Sequence, residues 1–482
     1  MSVGWGNITV KEILDPVGGA LISGVSGTLL TRISTDSRTT LEGDLFFALR
    51  GETYDGHDFA LKAMEKGAAG MVVEHGWVRS QGAGRGPDSV PSSLQDLAII
   101  SVDDTLKALG DLAAWWRRQH SVKVVGITGS SGKTTTKEMT AAILELGNRT
   151  LKNQGNFNNL IGLPLTLLRL TRDHACAVLE MGMNHPGEIA RLTEIADPDV
   201  GVILNVGMAH LEGLSDLDGV ARAKTELMEG ISSNGLVILN GDDAALMRRA
   251  SLFSKQKMTF GLGKENDVRA TGIKNDGPQG TRFSLEYRGN MWPVHVKAPG
   301  LHHLENALAA AAVGLGLNQP PEHIIKGLGM FSAIRGRFEV VSLEGGIILV
   351  DDTYNANPSS LRAAMESVGS LAGQGERIIV GLGEMLELGD AAAQAHREAG
   401  RKVAEGKAYW LFAMGPHACD MIEGARTAGM PEDRLRIVDS HDEMVKEIGH
   451  VMSRGDLILL KGSRRMQLEK VVQGLGGRAC GA

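Results

Sequence analysis

The sequence is short of the residues that mark several large classes of protein. Its three cysteines, Cys176, Cys419 and Cys480, lie far apart with no paired spacing. That excludes a disulfide framework or a cysteine zinc cluster and suits a reducing compartment. No stretch approaches the roughly 20 apolar residues of a membrane helix, so no membrane insertion is expected. The opening MSVGWGNITVKEIL lacks a basic segment followed by an apolar core, so secretion is not expected either. A formal charge of −7 leaves no basic footprint for nucleic acid. Aromatic residues make up only 4%, whereas glycine is abundant at 63 of 482 residues, which points to many tight turns around small side chains. The length suits about three domains.

Short β-type segments occur at Leu45–Leu49, Gly70–Glu74 and Leu97–Val102, the last two separated by the polar run RSQGAGRGPDSVPSSLQ. From Asp104 a helical pattern leads into VKVVGIT. Strand-like runs (ACAVLEMG, VGVILNVG, GLVILNGDD) then alternate with amphipathic ones (PGEIARLTEIA, GVARAKTELMEGI). Such alternation predicts a parallel, doubly wound sheet. Residues 266–297 shift to turn-rich β character, and HHLENALAAAAVGLGL returns to helix. Pro320 and Pro321 punctuate the chain before a third block of five strand–helix patterns, from GGIILVDD to GDLILLKGS. The expected fold is α/β in three domains: a small α/β domain over 1–103, a central P-loop domain with a mostly parallel sheet over 104–320, and a Rossmann-like α/β domain over 321–482.

The densest chemistry lies in VKVVGITGSSGKTTTKEM. A strand feeds into Gly129-Ser130-Ser131-Gly132-Lys133-Thr134-Thr135, and Lys137–Leu146 reads as helix. Strand, glycine loop and helix in that order let backbone N–H groups face a phosphate. Gly129 and Gly132 allow close approach, Lys133 reaches the β- and γ-phosphates, and the Thr134 hydroxyl can ligate Mg²⁺. Ile127 stands where the spaced form of this motif has a further glycine. The plain alternative is a Gly/Ser turn with a solvated lysine, but the flanking pattern favours a nucleoside triphosphate.

Ligands of an open parallel sheet gather outside the carboxyl ends of its strands. Glu180 ends ACAVLE and His210 follows VGVILNVG, so both are candidates for Mg²⁺ or for a phosphate. A helix cap and a backbone-bonded histidine are the structural alternatives. Lys224 has Val220, Ala221, Leu227 and Met228 at helical spacing and no carboxylate among them. It must snorkel or find a buried partner. Arg222, by contrast, has Glu226 four residues on, as in an ordinary surface pair.

GITGSSGKTTTKEM, NQGNFNNLIGLPLTLL, LEMGMNHPGEI, NVGMAHLEGL, ARAKTEL, GLHHLENALAAAA, GRFEV and DDTYNANPSS together resemble the Mur ligases, ATP-dependent amide-bond-forming enzymes of peptidoglycan precursor synthesis. The resemblance spans nearly the whole chain, and it accounts for Ile127, because the family's P-loop lacks the spaced glycine. Within the family, DDTYNANPSS, NFNNLIGLP and KGSRRMQLEKVV resemble the member that extends UDP-N-acetylmuramoyl-tripeptide with D-alanyl-D-alanine. The D-N-P-R run of the tripeptide-forming member is absent. The resemblance implies ATP and Mg²⁺ as cofactors and a cytoplasmic location; a monomer is expected, though nothing in the sequence speaks to oligomeric state. It implies catalytic roles for Lys133, His210 and Arg337, with Asn306 at the adenine, Arg337 at the γ-phosphate and Asp352 at the ribose, although Asp351 competes for that register. Thr134, Glu180 and His210 would surround Mg²⁺, and Lys224 matches a lysine that some members carry as a carbamate. Ser37 and Arg38, with Asn156 and Asn159, would contact the UDP-linked substrate; a polar turn is the alternative for TDSR. GLGEMLELGD would border the dipeptide. The rivals are another ligase of the superfamily, tripeptide-forming or acting on folate, and a P-loop switch that hydrolyses ATP without an acceptor.

Overall fold

The computed structural model of the chain describes residues 5, 8–51, 53–77, 97–208, 214, 216–372 and 376–476. Two compact units result, Met1–Gly126 with Asn148–Met181 and Ala190–Asp199, and Ile127–Gly147 with Gly182–Ile189 and Val200–Ala482.

The first unit holds a five-stranded sheet of β1 (Ala20–Ser23), β2 (Arg32–Ser34), β3 (Asp44–Phe47), β4 (Gly70–Glu74) and β5 (Ala98–Val102), in the order β1-β5-β4-β3-β2. Strands β2 to β5 are parallel, and β1 runs antiparallel to β5. The three expected strands are β3, β4 and β5. Strands β1 and β2 escaped notice because they are short and half-exposed, with no apolar run to announce them. Phe46, Met71, Val73 and Ile99 project from one face onto Ala60 and Ala63 of the helix Ala60–Glu65. The polar run at 79–95 lies outside the described residues. Helix α1 (Thr105–Arg118) starts where expected, because the Asp104 carboxylate accepts the Lys107 N–H at 2.9 Å and caps it.

In the second unit, β6 (Val200–Ile203), β7 (Leu236–Asn240), β8 (Gln256–Gly261) and β9 (Val268–Asn275) pair in parallel. The chain then folds back through β10 (Thr281–Tyr287) and β11 (Asn290–Val296), both antiparallel. This is the turn-rich stretch at 266–297. The helices that cover these strands are α2 (Lys133–Leu144), α3 (Leu217–Gly230) and α4 (Leu301–Gly316). Helix α2 begins at Lys133, four residues earlier than the sequence pattern indicates. Pro320 and Pro321 open a further helix, Pro321–Met330, with Pro321 at its first position, where no N–H is needed.

A six-stranded sheet completes the unit: β12 (Glu339–Ser342), β13 (Ile348–Asp352), β14 (Ile378–Leu382), β15 (Trp410–Ala413), β16 (Leu435–Ile437) and β17 (Leu457–Lys461), ordered β12-β13-β17-β14-β15-β16. All pairs but β12–β13 are parallel. Apolar residues alternate between its faces. Val350, Val380, Leu411 and Leu459 pack on one side beneath α5 (Pro358–Leu371), and Leu349, Ile379, Phe412 and Ile458 fill the other. A sheet covered on both faces explains why its strands read as unbroken apolar runs.

Candidate active site

The strand Lys123–Thr128 is buried from Val124 onward, and Ile127 is fully enclosed in the core. The loop that follows is held by the residues after β6. Ser130 N–H donates to Asn205 O (3.2 Å), Ser131 N–H donates to Asn205 Oδ1 (3.0 Å), and Asn205 Nδ2 donates to Ser131 O (3.3 Å). Ser130 Oγ donates to Gly207 O (3.0 Å) and accepts Gly207 N–H (2.8 Å). Gly132 sits at φ +84°, where a side chain is strained, and a Cβ there would collide with Asn306 Oδ1. Gly132 also precedes α2 without any side-chain cap, so the helix N-terminus keeps its polar groups for an anion.

Lys133 folds back over the loop, with Nζ donating to Gly129 O at 2.8 Å. Thr134 and Thr135 are buried in the first turn of α2. Asn306, on α4, lies against Gly132 and accepts from the Thr136 hydroxyl at 3.3 Å. Lys224 is 1% exposed on the apolar face of α3, so it does not snorkel. Burial, and then the charge of Lys133, push its amine well below the ordinary lysine value. The expected pairing of Arg222 with Glu226 does not form. Arg222 turns back one helical turn to Asp218 (2.8 Å), and Glu226 Oε1 instead accepts the Gly187 N–H (2.8 Å).

A second group of expected residues meets at the edge of β13. Asp351 is turned inward, its Oδ1 accepting Thr353 N–H (3.1 Å) and Thr353 Oγ1–H (2.6 Å). Asp352 instead accepts Lys461 Nζ on Oδ2 (2.6 Å) and Phe338 N–H on Oδ1 (3.2 Å). Burial raises the Asp352 carboxyl, while Lys461 and then Arg337 pull it back. The Arg337 guanidinium lies over the Tyr354 ring, 4.0 Å from its centre. Phe338, next to it, is buried at φ +55°, a left-handed conformation that is strained for a bulky side chain. The P-loop reaches this region too. A Cβ on Gly207 would stand 3.4 Å from Ser130 Cβ and 2.9 Å from Ser359 Cβ, at the start of α5.

In the first unit, Glu180 is 3% exposed, and its Oε1 accepts Asn158 Nδ2 at 2.8 Å. Of the expected asparagines, Asn159 caps a turn by accepting Ile161 N–H (3.2 Å) and Gly162 N–H (2.9 Å), and Asn156 is exposed. Arg38 is exposed and forks onto Asp36, whose carboxyl drops to about 2, while Ser37 is buried. Both sit on the loop that leaves the carboxyl end of β2. His210 lies outside the described residues. In the GLGEMLELGD loop, Met385 N–H donates to His396 Nε2 (2.9 Å) and Leu386 N–H to Ser463 Oγ (2.9 Å).

Sequence reasoning missed Asn205, Asn158 and Lys461. Only Lys461 left a signal, as a lysine ending the buried run LILLK. Among the described residues, no three His, Cys, Asp or Glu side chains converge.

A glycine cradle at an uncapped helix N-terminus, with a lysine folded over it and a second α/β sheet beside it, defines a P-loop nucleotide-dependent enzyme. Three family models match the chain in succession: the Mur ligase family catalytic domain over residues 30–117, the Mur ligase middle domain over 127–314, and the Mur ligase glutamate ligase domain over 336–464. The chain is 37% identical to UDP-N-acetylmuramoyl-tripeptide--D-alanyl-D-alanine ligase of Bacillus subtilis and 36% identical to that of Escherichia coli, in both cases over 97% of this chain and 98% of the relative. Among solved structures it is similar to MurF from Acinetobacter baumannii (TM-score 0.85, 33% identity, 97% of this chain and 98% of that one). It is also similar to MurF ligase from Thermotoga maritima in complex with ADP (TM-score 0.80, 28% identity, 92% and 96%). The chain belongs to the Mur ligase family.

Proposed function

We propose that this chain is an ATP-dependent ligase that joins D-alanyl-D-alanine to UDP-N-acetylmuramoyl-tripeptide in peptidoglycan precursor synthesis. The observation that carries the reading is its full-length likeness, at 36% and 37% identity, to ligases of that name. The nucleotide cradle and the ADP bound by a structural relative support ATP as the energy source.

A carboxylate resists attack by an amine because an oxide would have to leave. The terminal carboxylate oxygen of the tripeptide attacks the γ-phosphorus of ATP, the bond from that phosphorus to the bridging oxygen breaks, and ADP departs. The dipeptide amine then attacks the acyl carbon. A C–N bond forms, the amine gives up a proton, and the C–O bond to phosphate breaks. Lys133 and Arg337 offset charge on the transferring phosphoryl. Thr134, Glu180, His210 and Lys224 would hold Mg²⁺, which supplies charge neutralisation at the phosphate oxygens. Lys224 suits that set as a carbamate. A buried neutral amine adds CO₂ with loss of one proton and becomes an anion with oxygen ligands.

In this reading Asn306 faces the adenine and Asp352, not Asp351, serves the ribose. Ser37, Arg38, Asn156 and Asn159 meet the UDP-linked substrate. Residues 1–103, 104–320 and 321–482 act as substrate-binding, ATP-binding and closing domains of a cytoplasmic monomer. No described helix is long and apolar enough to cross a membrane. The test is ADP formation with the UDP-tripeptide and D-alanyl-D-alanine supplied together, singly, or replaced by a folate acceptor and glutamate. Turnover that requires both cell-wall substrates supports the reading. Equal ATPase without them would sink it.

A further inference from the structure

His302, on the first turn of α4, has no part in the proposed reaction. Its Nδ1 is 2.9 Å from Ser367 Oγ on α5, and Ser367 Oγ–H donates to Ala363 O at 2.8 Å, so the histidine is the donor to the serine. Ser367 is buried. The imidazole stands edge-on to Phe338, with centroids 4.8 Å apart and planes at 74°. Phe338 is the residue whose N–H holds Asp352 and whose neighbour is Arg337. Space for this contact depends on Gly300, at φ +101°. A Cβ there would lie 2.7 Å from His302 Cε1 and 2.8 Å from Ser367 Oγ. Asn275 Nδ2 adds a second tie, donating to Ser370 O of α5 at 3.0 Å.

We infer that His302 is a positioning residue of the ligase reaction. It bonds α5 through Ser367 and braces Phe338, and in that way sets Arg337 and Asp352 in register with α4, the helix whose Asn306 lies on the P-loop. In this role His302 acts through Phe338 and α5. The inference rests on the reading of Arg337 and Asp352 as nucleotide contacts.

The test compares Ser367→Ala, His302→Phe (ring kept, donor lost) and His302→Asn (donor kept on a smaller side chain) in the full chain. It measures kcat, KM for ATP, ADP affinity without acceptors, and thermal stability. Loss of one neutral hydrogen bond at a coupling point should lower kcat/KM for ATP by up to about tenfold in Ser367→Ala and His302→Phe. The double variant should fall no further than either single one, because both break the same link. His302→Asn should recover part of the loss. Kinetic constants within about twofold of the wild type in both Ser367→Ala and His302→Phe would overturn the inference, as would a fall in stability alone. A wild-type chain that fails to use the two acceptors would instead sink the reading of function, while ADP affinity would still report on the link.

Discussion

Lys461→Met tests whether the Asp352 seat depends on its buried ion pair. Lys461 is 2% exposed and bonds both Asp352 Oδ2 (2.6 Å) and Asn355 O (3.0 Å). Methionine fills the space but leaves the carboxylate with one backbone donor and the more distant Arg337. Breaking a buried ion pair from one side costs about 3–5 kcal/mol, mostly from the charge left behind. Burial already raises the Asp352 carboxyl, and without Lys461 it must rise further. A carboxyl raised in the folded state holds a proton that the unfolded chain has lost, so stability falls as pH rises from the ordinary aspartate value through the folded one. The deficit should therefore grow as pH rises above the ordinary aspartate range and shrink as pH falls back toward it. Urea unfolding followed by circular dichroism would measure it. Asp352→Asn combined with Lys461→Met removes the stranded charge and should recover most of the loss. A Lys461→Met cost below about 1 kcal/mol, or no relief in the double variant, would show that the pair does not hold the seat.

Gly132→Ala should abolish nucleotide binding measured by calorimetry, because the new Cβ meets Asn306 in a left-handed backbone; ADP affinity within about threefold of the wild type would contradict this. Asn205→Ala removes the side chain that bridges Ser131 N–H and O, and should raise KM for ATP by about tenfold with little change in the KM of either acceptor. Glu305, pushed up to about 7 by burial and by Asp242 and Glu366, keeps a proton between its ordinary 4.5 and that value, so its contribution to stability declines across this window. Glu305→Gln should thus stabilise the protein by about 3 kcal/mol above pH 7 and by almost nothing near pH 4.5; an equal effect at both ends would rule the assignment out.

Features encoded locally were legible in the sequence. Gly129 to Thr135 announce a cradle because strand, glycine and helix signals fall within one short run. The four apolar neighbours of Lys224 at helical spacing placed it on the apolar stripe of its helix, but whether it snorkels or is buried was decided only by the fold, which leaves it 1% exposed. The register of Asp351 and Asp352 was not legible. Both end the same strand, and what tells them apart is the pleat, which turns Asp351 to Thr353, and Lys461, which reaches Asp352 from 109 residues later. Arg222 shows the same limit: i+4 spacing offered Glu226, but Arg222 bonds Asp218 and the Glu226 carboxylate accepts the Gly187 N–H from a distant loop. Asn205 gave no sign at all, since a loop asparagine looks ordinary until the loop it braces is in view.

Activation of the tripeptide carboxylate as an acyl phosphate is the step on which the proposed function turns. It can be followed by supplying UDP-tripeptide labelled with ¹⁸O in its terminal carboxylate, together with ATP and D-alanyl-D-alanine. Each phosphate released should then carry one ¹⁸O atom. Amide product accompanied by unlabelled phosphate would exclude the acyl phosphate.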